Sequence, residues 1–180
     1  MNIQIRKAIS HFFPSPSFPQ VYSEAVANAI DAKADYIEID IKIKSYNDPE
    51  SLNLRISDNG EGFTDESFNR FSSLLDAKDK KHKGLGRLLF LEYFKGVSIR
   101  SVFSLGKGRK FLFDEKFKGK FSLYDVPSSE HSGTILEFGN VLALVLIVMM
   151  IYVQVRLNSN SWLNFNPFFW NERNRELVLR

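Results

Sequence analysis

The sequence predicts an α+β fold, a two-layer α/β sandwich whose mixed, mainly antiparallel sheet carries its helices on one face. Three observations predict it. Tyr36 to Lys44 reads YIEIDIKIK, a strict apolar–polar alternation that gives a strand one buried and one wet face. Later strand-like runs come in groups joined by short turns, as in antiparallel hairpins rather than a doubly wound parallel sheet. Helix-like segments precede and interrupt those groups, which lets helices stack on one face of a sheet.

Taken in order, the lead-in MNIQIRKAISHFFPSPSFPQ is broken by Pro14, Pro16 and Pro19 and reads as a short helix or strand followed by irregular chain. It has no apolar stretch of signal-peptide length. Gln20 to Ala32 lacks glycine and proline and is alanine-rich, hence helix, with Tyr22, Val26, Ala29 and Ile30 as its apolar stripe. The YIEIDIKIK strand follows. Ser45 to Ser51 is a turn, and Leu52 to Ser57 alternates as the second strand of an antiparallel pair. After Asp58-Asn59-Gly60-Glu61-Gly62 the pattern is helical again, with Thr64 as N-cap and Asp65 and Glu66 in the first turn. Leu74 to Lys83 is polar and lysine-rich, a loop. Gly84 to Phe94 follows as a glycine-led helix. Val97–Phe103 and Arg109–Asp114 are strands joined at Gly106-Lys107-Gly108, then a shorter strand at Phe121–Tyr124 and a last one at Thr134–Phe138.

Composition excludes several classes of function. The chain has 180 residues, 44% hydrophobic and 25% charged, which suits a globular domain and not a disordered or fibrous chain. With no cysteine there is no disulfide framework, thiolate metal site or cysteine nucleophile. That fits a reducing compartment, and a cytoplasmic location is expected. A net charge of +3 is too small to argue for nucleic acid, and the only basic patch runs from Lys78 to Lys83.

Four polar clusters carry the chemistry. Glu24, Asn28 and Asp31 sit at i, i+4 and i+7, one helix face two turns long. There Asn28 offers a hard oxygen for magnesium and Glu24 a base for water, although a solvated helix face would look the same. Asp58-Asn59-Gly60-Glu61-Gly62-Phe63 follows a strand; its glycines let backbone approach a flat ligand, and Asp58 can accept from an exocyclic amine. A plain strand-to-helix turn uses the same residues. Lys83-Gly84-Leu85-Gly86-Arg87 opens a helix, where free N–H groups suit phosphate. It matches neither a Walker A loop nor a dinucleotide fingerprint. Gly133-Thr134 begins the last strand, where a hydroxyl can meet a bound base, or simply be a β-branched strand residue.

Together and in this order, these clusters resemble the Bergerat-type ATP-binding fold of the GHKL superfamily over roughly Pro19 to Asn140. That superfamily takes in the DNA gyrase B subunit, ninety-kilodalton heat-shock chaperones, sensor histidine kinases and MutL-type mismatch-repair ATPases. The resemblance implies ATP and Mg2+ as ligands, with ADP as product. It implies that Glu24 polarises the attacking water, that Asn28 ligates magnesium, and that Asp31-Ala32 closes the motif beside the nucleotide. Asp58 would read the adenine amino group, with Gly60 and Gly62 letting adenine and lid lie close. Gly84, Leu85 and Gly86 would form the lid turn facing the phosphates, with Lys83 as a phosphate contact and Thr134 supporting the adenine. The implied activity is magnesium-dependent ATP hydrolysis driving lid closure and a conformational change. The alternative is a nucleotide-gated interaction module with little turnover.

The chain also departs from the superfamily. Hydrolysing members take a lysine or arginine to the γ-phosphate from a second domain, and these 180 residues are not expected to hold one. A homodimer partner or a separate domain or subunit is expected to supply that cation. His11 is a poor phospho-acceptor in its proline-flanked lead-in, so protein histidine kinase activity is not expected. His82 and His131 read as solvated loop histidines. From Val141 the composition changes: thirteen unbroken apolar residues to Val153, then 27 residues without lysine or glycine. A bilayer-spanning helix needs about 20 apolar residues, so a membrane segment is disfavoured. A buried terminal element or a shifted reading frame are the other readings. Residues 1–140 are thus expected to be the ATP-binding domain and 141–180 an atypical tail.

Overall fold

The computed structural model describes residues 7, 9–42, 51–73 and 85–141, and the backbone of 168–171 and 176–179. Helix α1 spans Phe18–Asp31, followed by strands β1 (Ile37–Lys42) and β2 (Asn53–Asp58). Helices α2 (Asp65–Ser72) and α3 (Leu88–Tyr93) precede β3 (Phe94–Ser104), β4 (Lys107–Asp114), β5 (Ser122–Asp125) and β6 (Gly133–Val141). The six strands form one sheet in the order β1-β2-β6-β3-β4-β5. Each of its pairings is antiparallel, so the described sheet has no parallel component. Strands β7 (Phe168–Asn171) and β8 (Glu176–Leu179) pair as a separate ribbon. No helix among the described residues is long and apolar enough to cross a membrane.

Register explains the sheet's two faces. Ile41, Leu54, Phe138, Val97 and Phe113 form one rung across β1-β2-β6-β3-β4. Ile39, Ile56, Leu136, Ile99 and Phe111 form the next. These rungs face the helices and join one core with Val21 and Ala25 of α1, Phe68 and Phe71 of α2, and Leu88, Phe90 and Leu91 of α3. Edge-to-face phenyl pairs run through it, Phe71 meeting Phe63, Phe111 and Phe113 with centroids 5.1 to 5.4 Å apart. Each such pair adds about 0.5–1.5 kcal/mol beyond burial. Residues of the alternate set, such as Glu137, Lys110 and Asn53, are exposed on the other face.

Helix α1 begins two residues before the expected Gln20, because Pro19 sits in its first turn, where a missing N–H costs nothing. The Ser17 N–H donates to Gln20 Oε1 at 2.7 Å and closes that turn. The buried stripe is Phe18, Val21, Ala25 and Ala29 rather than the expected Tyr22, Val26, Ala29 and Ile30, and Ile30 is 61% exposed. The small alanines let α1 lie close to the sheet, which an isoleucine would prevent. The helix ends with Lys33 in the left-handed region (φ 62°), while Ala34 N–H donates to Ala29 O at 3.0 Å.

Two further differences bear on function. The helix expected from Gly84 starts only at Leu88, after a turn at 86–87, and is six residues long. The hairpin turn lies at Leu105-Gly106, with Lys107 and Gly108 already in β4. Thr64 caps α2 as expected, its Oγ1 accepting from Ser67 N at 3.2 Å.

Candidate functional site

The next rung of the sheet's inner face changes character. Register aligns Ile37, Asp58, Thr134, Ser101, Arg109 and Leu123 across all six strands. Four neighbouring polar side chains thus end a run of apolar rungs. Asp58 Oδ1 accepts from Gly60 N at 2.9 Å. Burial pushes the Asp58 carboxyl above the usual carboxylate range, against the opposing pull of the Gly60 and Thr134 backbone N–H groups. Thr134 is 6% exposed, and its hydroxyl lies 3.4 Å from Ser101 Oγ.

The loop after Asp58 is pinned from several sides. Asn59 Oδ1 accepts from the N–H groups of Asp35 and Tyr36, at 3.1 and 2.9 Å. Glu61 N donates to Ala32 O at 2.8 Å, and a Cβ on Gly60 would lie 2.6 Å from that same oxygen. The C-terminal end of α1 therefore rests on this loop. Gly62 adopts φ +70°, and a Cβ there would come within 2.2 Å of Val102 O. Phe63 N donates to Ser101 Oγ at 2.7 Å.

The second group lies along α1. Asn28 Nδ2 donates to Glu24 Oε1 at 3.2 Å, which leaves the Asn28 carbonyl oxygen as its outward acceptor. Glu24 is half-buried, whereas Asn28 and Asp31 are exposed. These residues flank the buried stripe instead of standing opposite it. Gly86 packs directly on Glu24: a Cβ would sit 2.0 Å from Glu24 Oε2. Leu85 is half-buried against the core. The N–H groups of Leu88, Leu89 and Phe90 already donate to Leu85, Gly86 and Arg87 carbonyls. An anion at this end of α3 would therefore meet the turn and not the helix terminus, a correction to the glycine-led helix expected above. Lys83 and Gly84 lie outside the described residues, as does His82.

The structure thus joins Glu24, Asn28 and Gly86 in one group and Asp58, Gly60, Gly62 and Thr134 in another, with α1 linking the two. Asp31, at the last turn of α1, makes no polar contact among the described residues. Sequence reasoning missed Ser101, Arg109 and Arg87. Arg109 is 1% exposed, lies under the rings of Phe68, Phe103 and Phe121, and donates to Phe63 O and Thr64 O at 2.9 Å each and to Asp65. The signal for Ser101 and Arg109 was present, since both fall on the inward phase of alternating strands. A cavity of about 240 Å³ is lined by Asp58, Ser101 and Thr134 of the polar rung together with Ser57, Arg100 and Tyr124, and by neither Glu24 nor Gly86.

A family model described as histidine kinase-, DNA gyrase B- and HSP90-like ATPase matches residues 15–142. The chain belongs to this family. It carries the general ATP-binding character of the GHKL superfamily, as the order of its motifs implied. Two solved structures agree on the fold. The N-terminal domain of a DNA repair protein superposes with a TM-score of 0.57 at 19% identity, covering 85% of this chain and 44% of that one. The 43K ATPase domain of Thermus thermophilus gyrase B, in complex with an aminocoumarin, gives 0.51 at 15%, covering 86% and 44%. The Aquifex aeolicus MutL ATPase domain complexed with ADP gives 0.45 at 19%, covering 76% and 51%. This GHKL domain therefore spans about half, or less, of the chains it resembles. A sequence search among curated proteins returns no significant match.

Proposed function

We propose that this GHKL domain binds ATP with magnesium and hydrolyses it, driving lid closure and a conformational change. The observation that carries the reading is α1 itself: Glu24, hydrogen-bonded to Asn28 one turn on, packs against Gly86, and the end of the helix rests on the Asp58–Gly62 loop. One helix thereby connects a base and a cation ligand to an acceptor for an adenine amino group.

The residues fit both ligands. Asp58 is a partly buried carboxylate beside backbone held close by glycine, an acceptor for a flat amine. Asn28 offers one neutral oxygen, and the described residues contain no group of three acidic or histidine side chains. Magnesium suits such a site, because it keeps waters and takes phosphate oxygens in preference to an all-protein cage. When bound there it would neutralise charge on the phosphates. Glu24 would orient and deprotonate the attacking water, Asn28 would hold the cation, and Asp58 and Thr134 would fix the base. Lys83 would add a phosphate contact. A further lysine or arginine from a homodimer partner or a second domain would complete the charge stabilisation.

Arg87, the cation whose field reaches Glu24, is 8% exposed and stacks on Phe71. That favours a second reading, a nucleotide-gated interaction module with slow turnover. Steady-state ATPase assays with magnesium, run beside protease protection with ATP and ADP, separate the two. Glu24→Ala is expected to keep ATP binding and lose turnover, and Asp58→Ala to lose binding. Normal hydrolysis by Glu24→Ala would overturn the role of Glu24. Protection without turnover in the wild type would favour the gated module.

A further inference from the structure

Helix α3 reads Leu88-Leu89-Phe90-Leu91, all buried, and the residue before it is an arginine that is equally buried. An apolar side chain at 87 would pack there without desolvating a charge, so the guanidinium needs another reason to be present. Its surroundings supply one. Arg87 Cζ lies 4.2 Å from the centroid of the Phe71 ring, and Nη2 donates to Arg70 O at 3.4 Å. Both contacts fall on the last turn of α2. Nε is buried without a partner among the described residues. The neighbouring residue, Gly86, is the one that leaves no room for a Cβ against the Glu24 carboxylate. No ion pair joins Arg87 to Glu24, yet the opposite charges attract through space.

We propose that Arg87 is a positioning residue for Glu24: it ties the Leu85-Gly86-Arg87 turn to α2, so that Gly86 holds the Glu24 carboxylate in place against Asn28. The proposal rests on the reading of Glu24 as the base. At 8% exposure the guanidinium is not itself a phosphate ligand in this arrangement. Its action runs through the turn and through its charge. Fixing a base in this way belongs to the orientation part of catalysis, where a displacement of about 1 Å costs about a hundredfold in rate.

The test uses the full chain and has one readout free of nucleotide. Asn28 donates its side-chain amide to Glu24 Oε1, so its carboxamide resonances in 1H–15N spectra report where the carboxylate lies. Arg87→Met is expected to shift them toward their position in Glu24→Ala, and Arg87→Lys to restore most of the wild-type position. In magnesium–ATP turnover, Arg87→Met is expected to lower kcat about 10- to 100-fold with KM changed less than about twofold. If Arg87→Met does not fold, Arg87→Gln, which is uncharged and shorter but keeps a planar N–H donor, takes its place. Gly86→Ala serves as the control, since it must displace the carboxylate and move the same resonances. Should Gly86→Ala move them while folded Arg87 variants do not, the proposal is overturned. A wild-type chain that does not hydrolyse ATP would sink the enzymatic reading alone, because the Asn28 resonances are read without nucleotide.

Discussion

At the scale of single residues, Asp58 is where burial and the proposed adenine contact pull in opposite directions. Its carboxyl is pushed up by burial, with the Gly60 and Thr134 N–H groups only partly offsetting this. A raised carboxyl favours the protonated form in the folded chain. Its contribution to stability is therefore full below the ordinary carboxylate value and is lost as pH rises through the folded value. The adenine contact proposed for Asp58 runs the other way, since an amino group donates best to the ionised form. Adenosine affinity, measured by calorimetry to avoid titrating phosphates, is expected to fall as pH drops, starting above the ordinary carboxylate range. Asp58→Asn, which keeps an acceptor and does not titrate, is expected to give a flat profile over that interval. A wild-type profile as flat as that of the variant would remove Asp58 from the adenine contact. The motif residues themselves were legible because their chemistry fixes their spacing: Glu24 and Asn28 one helical turn apart, Asp58 followed by alternate glycines. Arg87 was not legible, since a basic residue after Gly-Leu-Gly reads as one more solvated charge until Phe71 is seen beneath it.

Among the elements, the strands were easier to read than the helices. Alternation fixes which residues of a strand share a face, and the predicted β1 and β2 pair is present in the expected sense. Helix α1 was harder, because Tyr22, Val26 and Ile30 make as good an apolar stripe as Val21, Ala25 and Ala29. Close packing against the sheet chose the smaller set. Helix α3 was misjudged at its start for a tertiary reason. Residues 85–87 form a turn that presses Gly86 onto Glu24, and no local propensity encodes that contact. Arg109 shows what an element can do for a loop: from the middle of β4 it holds the Phe63 and Thr64 carbonyls just before α2. Arg109→Met fills the space under Phe68, Phe103 and Phe121 but takes the guanidinium donor from Phe63 O and from Asp65, while Thr64 O keeps Phe68 N–H and the Ser67 hydroxyl. It is expected to cost about 2–4 kcal/mol in urea denaturation. A loss below about 1 kcal/mol would mean that water replaces the guanidinium there.

For the whole molecule, every pairing of the six-stranded sheet lies within residues 37–141. The family model ends at 142, close to the compositional break at Val141. We therefore expect a chain shortened after residue 142 to keep its fold and to bind magnesium–ATP with the affinity of the full chain, as read by calorimetry. Loss of binding in a folded, shortened chain would give the residues beyond Val141 a part in the site. The break was visible as composition alone, while the part those residues play was not, because thirteen apolar residues suit several environments equally.

The strand order also carries a consequence for synthesis. β6 is the last of the six strands to be made, yet it lies between β2 and β3, and it brings Thr134 to both Asp58 and Ser101. Until it leaves the ribosome the sheet can exist at most as two halves with facing open edges, β1-β2 and β3-β4-β5. Such long-range pairing is slow, and unpaired edges invite association with other chains. The rung that would receive the adenine is completed in the same event that joins the halves. If that rung holds the adenine as proposed, a nascent chain has no adenine contact before the halves join, and nucleotide present during synthesis would favour the joined state over the open one.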